Sequence, residues 1–305
     1  MTKIAKKILY VAGFILICIG LERTCHFLTD GFSIYRISSK NTRQKFFKDF
    51  PIEPDHPAYQ KKYYYLASGS QSFVFVSEDN KYVIKFFKQH RWRPPIWQKT
   101  FPSFAKKTRN SMLQAKKNTF ASCQELFENF KKETGLIHIH LNKTTHQLPY
   151  IELIDRNHIS HKIPLDDYEF ILQKKAQSIP AYLLTLKKQK NYEQIKQTLH
   201  DFICFSKKRA QQGYLNKDPN FIKNFGFLDG KIIEIDVGGC YQDPKKDLFY
   251  FHFYELKKIE NKMQRFLLKE IPELSWYFHD LVRSSQKEYL RTTKDNFLTN
   301  NYFKQ

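Results

Sequence analysis

The sequence predicts an α+β fold of two lobes, in which an antiparallel sheet and a long helix precede a small, mostly helical second lobe. Three observations lead to this class. Residues 63–87 alternate as three short strands separated by turns, residues 103–132 carry an apolar stripe at helical spacing, and residues 247–305 have the pattern of two or three helices. The chain has 305 residues with 41% hydrophobic content, which is enough to bury a core and argues against disorder.

The N-terminal stretch, residues 8–21, contains no charged side chain and follows three lysines within the first seven residues. This layout is typical of a signal sequence or a short membrane anchor, and a buried helix is the weaker alternative. The positive-inside rule would keep the lysines in the cytoplasm and send the remainder across the membrane. We therefore expect membrane association through residues 1–21, with the side of the membrane and export left open.

Residues 22–62 are polar and contain Pro51, Pro54 and Pro57 at intervals of three, a composition that predicts a linker. The folded domain is then expected over residues 63–305. Its first lobe would cover residues 63–172, with a hinge at 173–176. A helical pattern over 179–212, stopped by a glycine, would open the second lobe at residue 177.

A formal charge of +21 indicates an anionic partner, whether an acidic membrane, phosphorylated substrates or nucleic acid. Between Asn80 and Gln124 there is no acidic residue, whereas eleven lysines and arginines appear among tryptophans and phenylalanines. Such a segment suits anionic lipid headgroups, where indoles prefer the interface. Nucleic acid is the competing ligand, and a solvated basic face is the plain alternative. The nearby apolar stretch favours the membrane.

The cysteines and histidines give little support for a metal centre. The five cysteines are scattered, odd in number and never spaced as a C-x-x-C pair, so neither a disulfide framework nor a zinc site is indicated. In the alternating stretch LIHIHL, His138 and His140 fall on one face of a strand. A zinc site would need further ligands, so we expect two surface histidines.

The stretch from Gly213 to Gly239 is the most informative in the chain. The dipeptide Asp229-Gly230 between two short apolar runs predicts a hairpin with a primed turn. A hairpin holds its ends close together, so Asn224 and Asp236 are expected to lie side by side. Two oxygen donors of this kind suit Mg²⁺, which keeps most of its water and takes the rest of its ligands from phosphates. The loop before the hairpin would place Asp218 beside them.

This order of residues resembles the protein kinase-like superfamily, in which a catalytic loop with Asp and Asn precedes a hairpin that ends at the metal-binding Asp of D-F-G. Asp236-Val237-Gly238 stands in the D-F-G place. The loop is most similar to that of the lipopolysaccharide core sugar kinases. The residues that match this family are Gly213, Asp218, Pro219, Asn224 and Phe225. The spacing from Asp218 to Asn224 is six residues, whereas five is usual in the family.

The resemblance extends to the first lobe and implies binding of ATP and Mg²⁺. The stretch LASGSQSFV resembles the glycine-rich loop, with Gly69 in the middle glycine place and Ser70 and Ser72 beside it. Lys85, in the run YVIK, falls where the phosphate-binding lysine is expected. Its glutamate partner would come from the long helix, and Glu125 is assigned to that role.

The resemblance therefore implies a membrane-associated phosphotransferase acting on a hydroxyl of a sugar or glycolipid. Lys85 would hold phosphates, Asn224 and Asp236 would hold Mg²⁺, and Asp218 would accept the substrate proton. Two alternatives stay open. One is a pseudokinase, because the glycine-rich loop has lost two glycines. The other is a membrane-anchored basic adaptor for anionic lipid or, with less support, nucleic acid.

Overall fold

The computed structural model describes residues 3–39, 47–93, 102–216, 220–242 and 248–302. The chain divides into two compact units. Unit 1 comprises Met1–Gln124 and Leu136–Lys175, and unit 2 comprises Glu125–Gly135 and Ala176–Gln305. The structure is thus a mixed α+β chain with a seven-stranded sheet and a helical C-terminal part, which is compatible with a two-lobed kinase-like fold.

Unit 1 is built on a sheet whose strand order is β4-β7-β3-β2-β1-β5-β6. Its strands are β1 Lys62–Ser68, β2 Ser72–Ser77, β3 Tyr82–Phe87, β4 Leu136–His140, β5 Tyr150–Ile154, β6 Ser160–Pro164 and β7 Phe170–Lys174. All neighbouring strands pair antiparallel except β1 and β5, which pair parallel. The predicted strands are therefore present, but the sheet is mixed and not purely antiparallel, because β5 pairs with β1 in parallel.

Unit 1 begins with helix α1, Lys3–Thr29, followed by the short helix α2, Ile34–Ile37. By length and composition, Tyr10–Thr29 could cross a membrane, and it is the one such segment among the described residues. A signal sequence would meet the same criterion. The helix is therefore longer at both ends than the uncharged stretch that predicted it.

Part of the predicted linker belongs to the core of unit 1. Phe32 is buried against the rings of Phe73 and Phe75, with centroid distances of 5.4 and 5.1 Å. Ile37 and Tyr59 are buried in the same cluster. The linker predicted over residues 22–62 thus differs from the structure, because isolated apolar residues in a polar stretch gave no periodic signal from which to predict their burial.

Helix α3, Pro102–Asn129, continues into the one-turn helix α4, Lys131–Thr134, which ends at Gly135 in the left-handed conformation that favours glycine. In unit 1, the ring of Phe120 on α3 packs against Phe87 of β3 at 4.6 Å. Side chains alternate between the two faces of a strand, so α3 covers the sheet face that carries Val83, Lys85 and Phe87.

Unit 2 is mostly helical, as predicted. Its helices are α5 Ile179–Lys188, α6 Tyr192–Gln211, α7 Phe221–Asn224, α8 Leu248–Tyr250, α9 Leu256–Glu270 and α10 Ser275–Tyr302, with a π-helical turn at Phe251–Glu255. The single helix predicted over 179–212 is in fact two. Lys190 has a positive φ of 55°, and the Asn191 side chain accepts a hydrogen bond from the Gln194 amide, which caps α6.

Unit 2 also contains two small sheets. Strand β10 Phe225–Leu228 lies between β11 Lys231–Glu234 and β8 Gln177–Ser178, and β9 Tyr214–Asn216 pairs with β12 Cys240–Gln242. A side chain at Gly226 would meet Ala176 Cβ at 2.6 Å and the Gln177 carbonyl at 3.0 Å, so glycine is required where β10 approaches β8. The helices bury one apolar cluster around Phe202, Phe225 and Phe251.

Candidate functional site

The residues predicted to bind metal meet at the base of the β10–β11 hairpin. The backbone carbonyl of Asn224 accepts hydrogen bonds from the amides of Ile235, at 2.7 Å, and Asp236, at 3.4 Å. Asn224 is buried and Asp236 is exposed. The structure therefore brings Asn224 and Asp236 together, as the hairpin predicted.

The turn of the hairpin has the backbone conformation that its sequence predicts. Leu228 pairs with Lys231, and the two residues between them, Asp229 and Gly230, have φ values of 48° and 77°. Positive φ at both positions is the signature of the primed turn that matches the twist of the strands. The predicted hairpin is confirmed, and its register fixes the ends where Asn224 and Asp236 lie.

The segment after β11 directs the Asp236 side chain. Its Oδ1 atom accepts a hydrogen bond from the Gly238 amide at 3.3 Å, while the adjacent Val237 is 2% exposed. The local turn thus anchors Asp236 between a buried strand and a buried apolar side chain. The backbones of Asn224 and Asp236 meet here, and a carboxylate and a side-chain amide supply the hard oxygen ligands that Mg²⁺ prefers.

The loop before the hairpin carries further polar side chains. Asp218, the predicted proton acceptor, lies outside the described residues. Asn220, two positions later, caps α7 through a 3.2 Å hydrogen bond from the Ile222 amide to its side chain. Gly213 has a φ of 82°, so the chain enters the loop through a left-handed residue.

A buried ionic network lies directly behind the hairpin, and sequence reasoning did not find it. Arg209 on α6 donates to Glu234 of β11 at 2.9 Å and to Glu255 of the π-helical turn. The side-chain amide of Asn216 donates to Glu234. All four residues are at most 5% exposed. The network therefore fixes the last residues of β9 and β11, Asn216 and Glu234, each of which precedes a candidate acid by two positions in the sequence.

This network contains two carboxylates for one guanidinium. Burial raises the pKa of Glu255 to about 7, although Arg209 opposes the shift. Burial likewise raises the pKa of Glu234. Within the described residues, the Oε2 atom of Glu255 has no hydrogen-bond partner. A buried carboxyl without full compensation takes up a proton, so Glu255 is the group expected to titrate near neutrality.

In unit 1, the loop predicted to contact phosphates connects β1 to β2. The Gly69 amide donates to the Ser72 carbonyl at 2.8 Å, which closes the turn. The Lys88 ammonium donates to the Ser68 hydroxyl and to the Gly69 carbonyl, both at 2.6 Å, and Arg91 donates to the Ser70 carbonyl. Two cations therefore hold the carbonyl ends of consecutive peptide groups in this loop.

Lys85 lies in the centre of the same sheet. On β3 it pairs with Val74 of β2 and Ile171 of β7, and its side chain is half-buried. It shares the sheet face of Phe87, the face covered by α3. Gly69, Ser70, Ser72 and Lys85 thus belong to unit 1, whereas Asn224 and Asp236 belong to unit 2.

Glu125, the residue assigned as the partner of Lys85, belongs to unit 2. Its carboxylate accepts hydrogen bonds from the Tyr214 hydroxyl at 3.0 Å and from the Asn129 side chain at 3.3 Å. Tyr214 is the first residue of β9, which leads into the loop of Asp218. These contacts connect Glu125 to the start of that loop, and its pairing with Lys85 stays a prediction.

A buried ion pair in unit 1 joins Lys116 of α3 to Glu169, at 3.2 Å. Gln89 contacts both partners, accepting from Lys116 at 3.1 Å and donating to Glu169 at 3.1 Å. The Lys116 ammonium also lies 4.9 Å from the centre of the Phe120 ring. Lys116 belongs to the basic run and Glu169 precedes a strand, so the sequence carried no local signal that the two would pair.

The histidines of β4 are buried, and the expectation of two surface histidines was wrong. His138 contacts the Tyr59 hydroxyl, and His140 donates to the Tyr168 carbonyl at 2.7 Å. Within the described ranges no three His, Cys, Asp or Glu side chains are grouped as metal ligands. The histidine pair therefore packs as part of the core, where both rings contact Phe170 of β7.

Comparisons with known proteins give little support for a family. No family model matches the chain, and no curated protein matches it. Among solved structures, the bifunctional kinase-methyltransferase WbdD is similar over 62% of this chain, with 14% sequence identity and a TM-score of 0.33. The match covers 34% of the length of that structure. A likeness this distant carries no argument about function, which must be inferred from the chain's own residues.

Proposed function

We propose that this protein is a membrane-associated phosphotransferase that transfers the γ-phosphoryl group of ATP to a hydroxyl of a sugar or glycolipid. The observation that carries the proposal is the meeting of Asn224 and Asp236 at the base of the hairpin, in the order that follows a loop containing Asp218. The lipopolysaccharide core is the acceptor that the resemblance of the loop favours.

The roles follow from the chemistry of each side chain. The carboxylate of Asp236 and the amide oxygen of Asn224 would hold Mg²⁺, which neutralises phosphate charge when it is bound. Lys85 would bind the phosphates of ATP, and Asp218 would accept the proton of the attacking hydroxyl. These roles fall on residues of both units, so the loss of either set should abolish transfer.

The loop of unit 1 supports this proposal through the direction of its peptide groups. Lys88 and Arg91 bind the carbonyls of Gly69 and Ser70, so the amides at the opposite ends of these peptide groups, those of Ser70 and Gln71, point away from the two cations. Amides that are aligned in this way bind anions. Two cations thus fix a loop that has only one glycine, where other loops of this kind rely on three.

Membrane association is proposed from α1 and from the charge of the chain. Helix α1 is long enough to enter a bilayer, and the net charge of +21 favours a surface of anionic lipid. An acceptor that itself lies in a membrane, such as a glycolipid, would reach a membrane-bound enzyme by diffusion in the plane of the bilayer. A sugar hydroxyl is chemically suited to a general base such as Asp218.

A second candidate is a pseudokinase that binds nucleotide without transferring phosphate. The observation in its favour is that Tyr214 and Asn129 both donate hydrogen bonds to Oε2 of Glu125, the residue assigned as the partner of Lys85. The two candidates differ in turnover and agree in nucleotide binding. They are therefore separated by measuring both properties on the same preparation.

The test uses the full chain in a neutral detergent with and without Mg-ATP. A ligand at about a hundred times its dissociation constant stabilises a fold by roughly 2.7 kcal/mol, which is readily seen in a melting curve. We expect this stabilisation in the wild type and its loss in Asp236→Ala. The control is Asp280→Ala, an exposed acid of the same unit. If Mg-ATP does not stabilise the wild type, the phosphotransferase and the pseudokinase are both refuted.

Transfer is then measured by release of ADP in the presence of membrane glycolipids. We expect turnover by the wild type and none by Asp218→Asn, which should still bind Mg-ATP because Asp218 is assigned to the proton and not to the metal. Binding without turnover in the wild type would identify the pseudokinase. Undiminished turnover in Asp218→Asn would refute the role of that residue as the base.

A further inference from the structure

Specific hydrogen bonds attach the C-terminal end of α1 to the sheet of unit 1 and form the junction between them. Asp30 and Gly31 adopt left-handed φ values of 50° and 72°, and the Gly31 amide closes the helix end on the His26 carbonyl at 2.9 Å. Arg156, from the turn between β5 and β6, donates to the Phe27 carbonyl at 3.2 Å. The Tyr65 hydroxyl donates to Asp30 at 2.7 Å. The helix end is thus fixed to strand β1 and to the turn between β5 and β6.

A cavity of about 600 Å³ lies at this junction. Its lining residues are Glu22, Arg23, His26, Phe27, Asp30 and Arg156. Two guanidinium groups and an imidazole face it, together with two carboxylates, of which Asp30 already accepts the Tyr65 hydrogen bond. Both arginines are exposed, so their remaining donors can reach a ligand. An arginine fork matches the paired oxygens of a phosphate group.

The position of the cavity along α1 indicates where its ligand comes from. The uncharged run of residues 8–21 ends directly before Glu22 and Arg23. Large apolar side chains of this run, such as Leu16 and Ile19, are exposed over about half of their surface or more. If this run, and not the whole of Tyr10–Thr29, lies in lipid, the cavity lies at the level of the headgroups, where basic pockets bind lipid phosphates.

We propose that this cavity binds the headgroup of an anionic phospholipid, with the acyl chains along the exposed side of α1. Arg23 and Arg156 bind the phosphodiester oxygens. Glu22 accepts hydrogen bonds from headgroup hydroxyls, which favours a singly charged lipid with such donors, such as phosphatidylglycerol. Arg156 lies in the turn between β5 and β6, and its guanidinium also donates to the Phe27 carbonyl of α1. Through this residue the bound lipid is linked to both the sheet and the helix.

The experiment uses the full chain in vesicles of phosphatidylcholine that contain a small fraction of phosphatidylglycerol with a photoreactive headgroup. Labelled peptides are identified by mass spectrometry. We expect labelling within residues 22–30 and at the turn around Arg156, and unlabelled phosphatidylglycerol should compete with it. The variant Arg23→Gln/Arg156→Gln should reduce this labelling at least tenfold. The control Lys107→Gln/Arg109→Gln removes the same charge from an exposed part of α3 and should retain it.

Three results would overturn the proposal. One is equal loss of labelling in the control pair, which would indicate attraction by net charge alone. Another is labelling of the wild type only outside the junction, a result that does not depend on whether the variants fold. The third is competition by inorganic phosphate at the same concentration as the lipid, which would identify a site for free anions instead of a lipid site.

Discussion

The stability of this protein should depend on the protonation of one buried carboxyl, Glu255. Its pKa is raised from an ordinary value of 4.5 to about 7, because it is buried together with Glu234 while a single arginine serves both. The folded protein therefore holds a proton between pH 4.5 and 7 that the unfolded chain has released. Since the folded state binds more protons in this window, the free energy of unfolding falls as the pH rises.

The magnitude follows from the size of the shift. Each pKa unit corresponds to about 1.36 kcal/mol, so the change from 4.5 to about 7 amounts to roughly 3 kcal/mol in total. Of this, about 2 kcal/mol should be lost between pH 5.5 and 8.5. The stabilisation is complete below the unfolded pKa and has disappeared above the folded one.

The assay is urea unfolding of the full chain in neutral detergent at several pH values from 5.5 to 8.5. The perturbation is Glu255→Gln, which replaces the protonated carboxyl by a neutral group of the same shape. We expect the difference in unfolding free energy between variant and wild type to grow by about 2 kcal/mol in favour of the variant as the pH rises. Glu193→Gln, at an acid whose side chain is 84% exposed, is the control and should leave the pH dependence unchanged.

One result would refute this reasoning. If wild type and Glu255→Gln keep the same difference at every pH, then Glu255 does not titrate between pH 5.5 and 8.5 in the folded protein, and its pKa is not raised to about 7. A carboxylate that is ionised throughout this range would mean that Arg209 compensates both acids. In that case the network would resemble an ordinary buried ion pair. The loss of Arg209 would still be costly, because it would leave two uncompensated carboxylates.

Three further outcomes are expected. Gly69→Ala should leave the melting temperature unchanged or slightly raised, because the added Cβ would lie at an ordinary contact distance of 3.5 Å from the Ser72 carbonyl. The same substitution should lower the affinity for nucleotide if a phosphate group approaches the backbone at this position. Lys116→Met should cost about 3–5 kcal/mol in urea unfolding, since it leaves Glu169 buried without its cation; an effect below 1 kcal/mol would contradict this. A fragment starting at residue 61 should fail to give a cooperative melting curve, whereas one starting at Glu22 should give it, because only the longer fragment keeps Phe32, Ile37, Ala58 and Tyr59 of the core.

The sequence predicted best those parts of the fold that carry local signals. Asp229-Gly230 determined both the hairpin and its register, and the helical stripe over 103–132 matches α3, Pro102–Asn129. Strand β6 was missed because Ser160–Pro164 is short and mostly polar, so it lacks the alternation of a half-buried strand. The break between α5 and α6 depends on one left-handed lysine, which no apolar spacing reveals.

The candidate site likewise combines contacts that local sequence signals predicted with contacts that they did not. Asn224 and Asp236 could be placed together because a hairpin of known register connects them. The contacts of Lys88, Arg91 and the Arg209 network depend on residues far apart in sequence, and a lone charged residue on a helix or strand gives no indication of its partner. Burial of a charge is determined by tertiary packing, which only the folded chain shows.

The burial of Phe32 has a consequence for the order of synthesis. This ring contacts the ring of His161, 129 positions later in the chain, with their centres 5.9 Å apart. At a translation rate of 5–20 residues per second, the ribosome needs on the order of ten seconds to reach that partner. If α1 enters a bilayer during synthesis, as the proposed membrane association implies, it does so before the sheet that receives Phe32 exists. The nascent chain would then wait at the membrane with an aromatic side chain exposed, a state in which a chaperone has time to act.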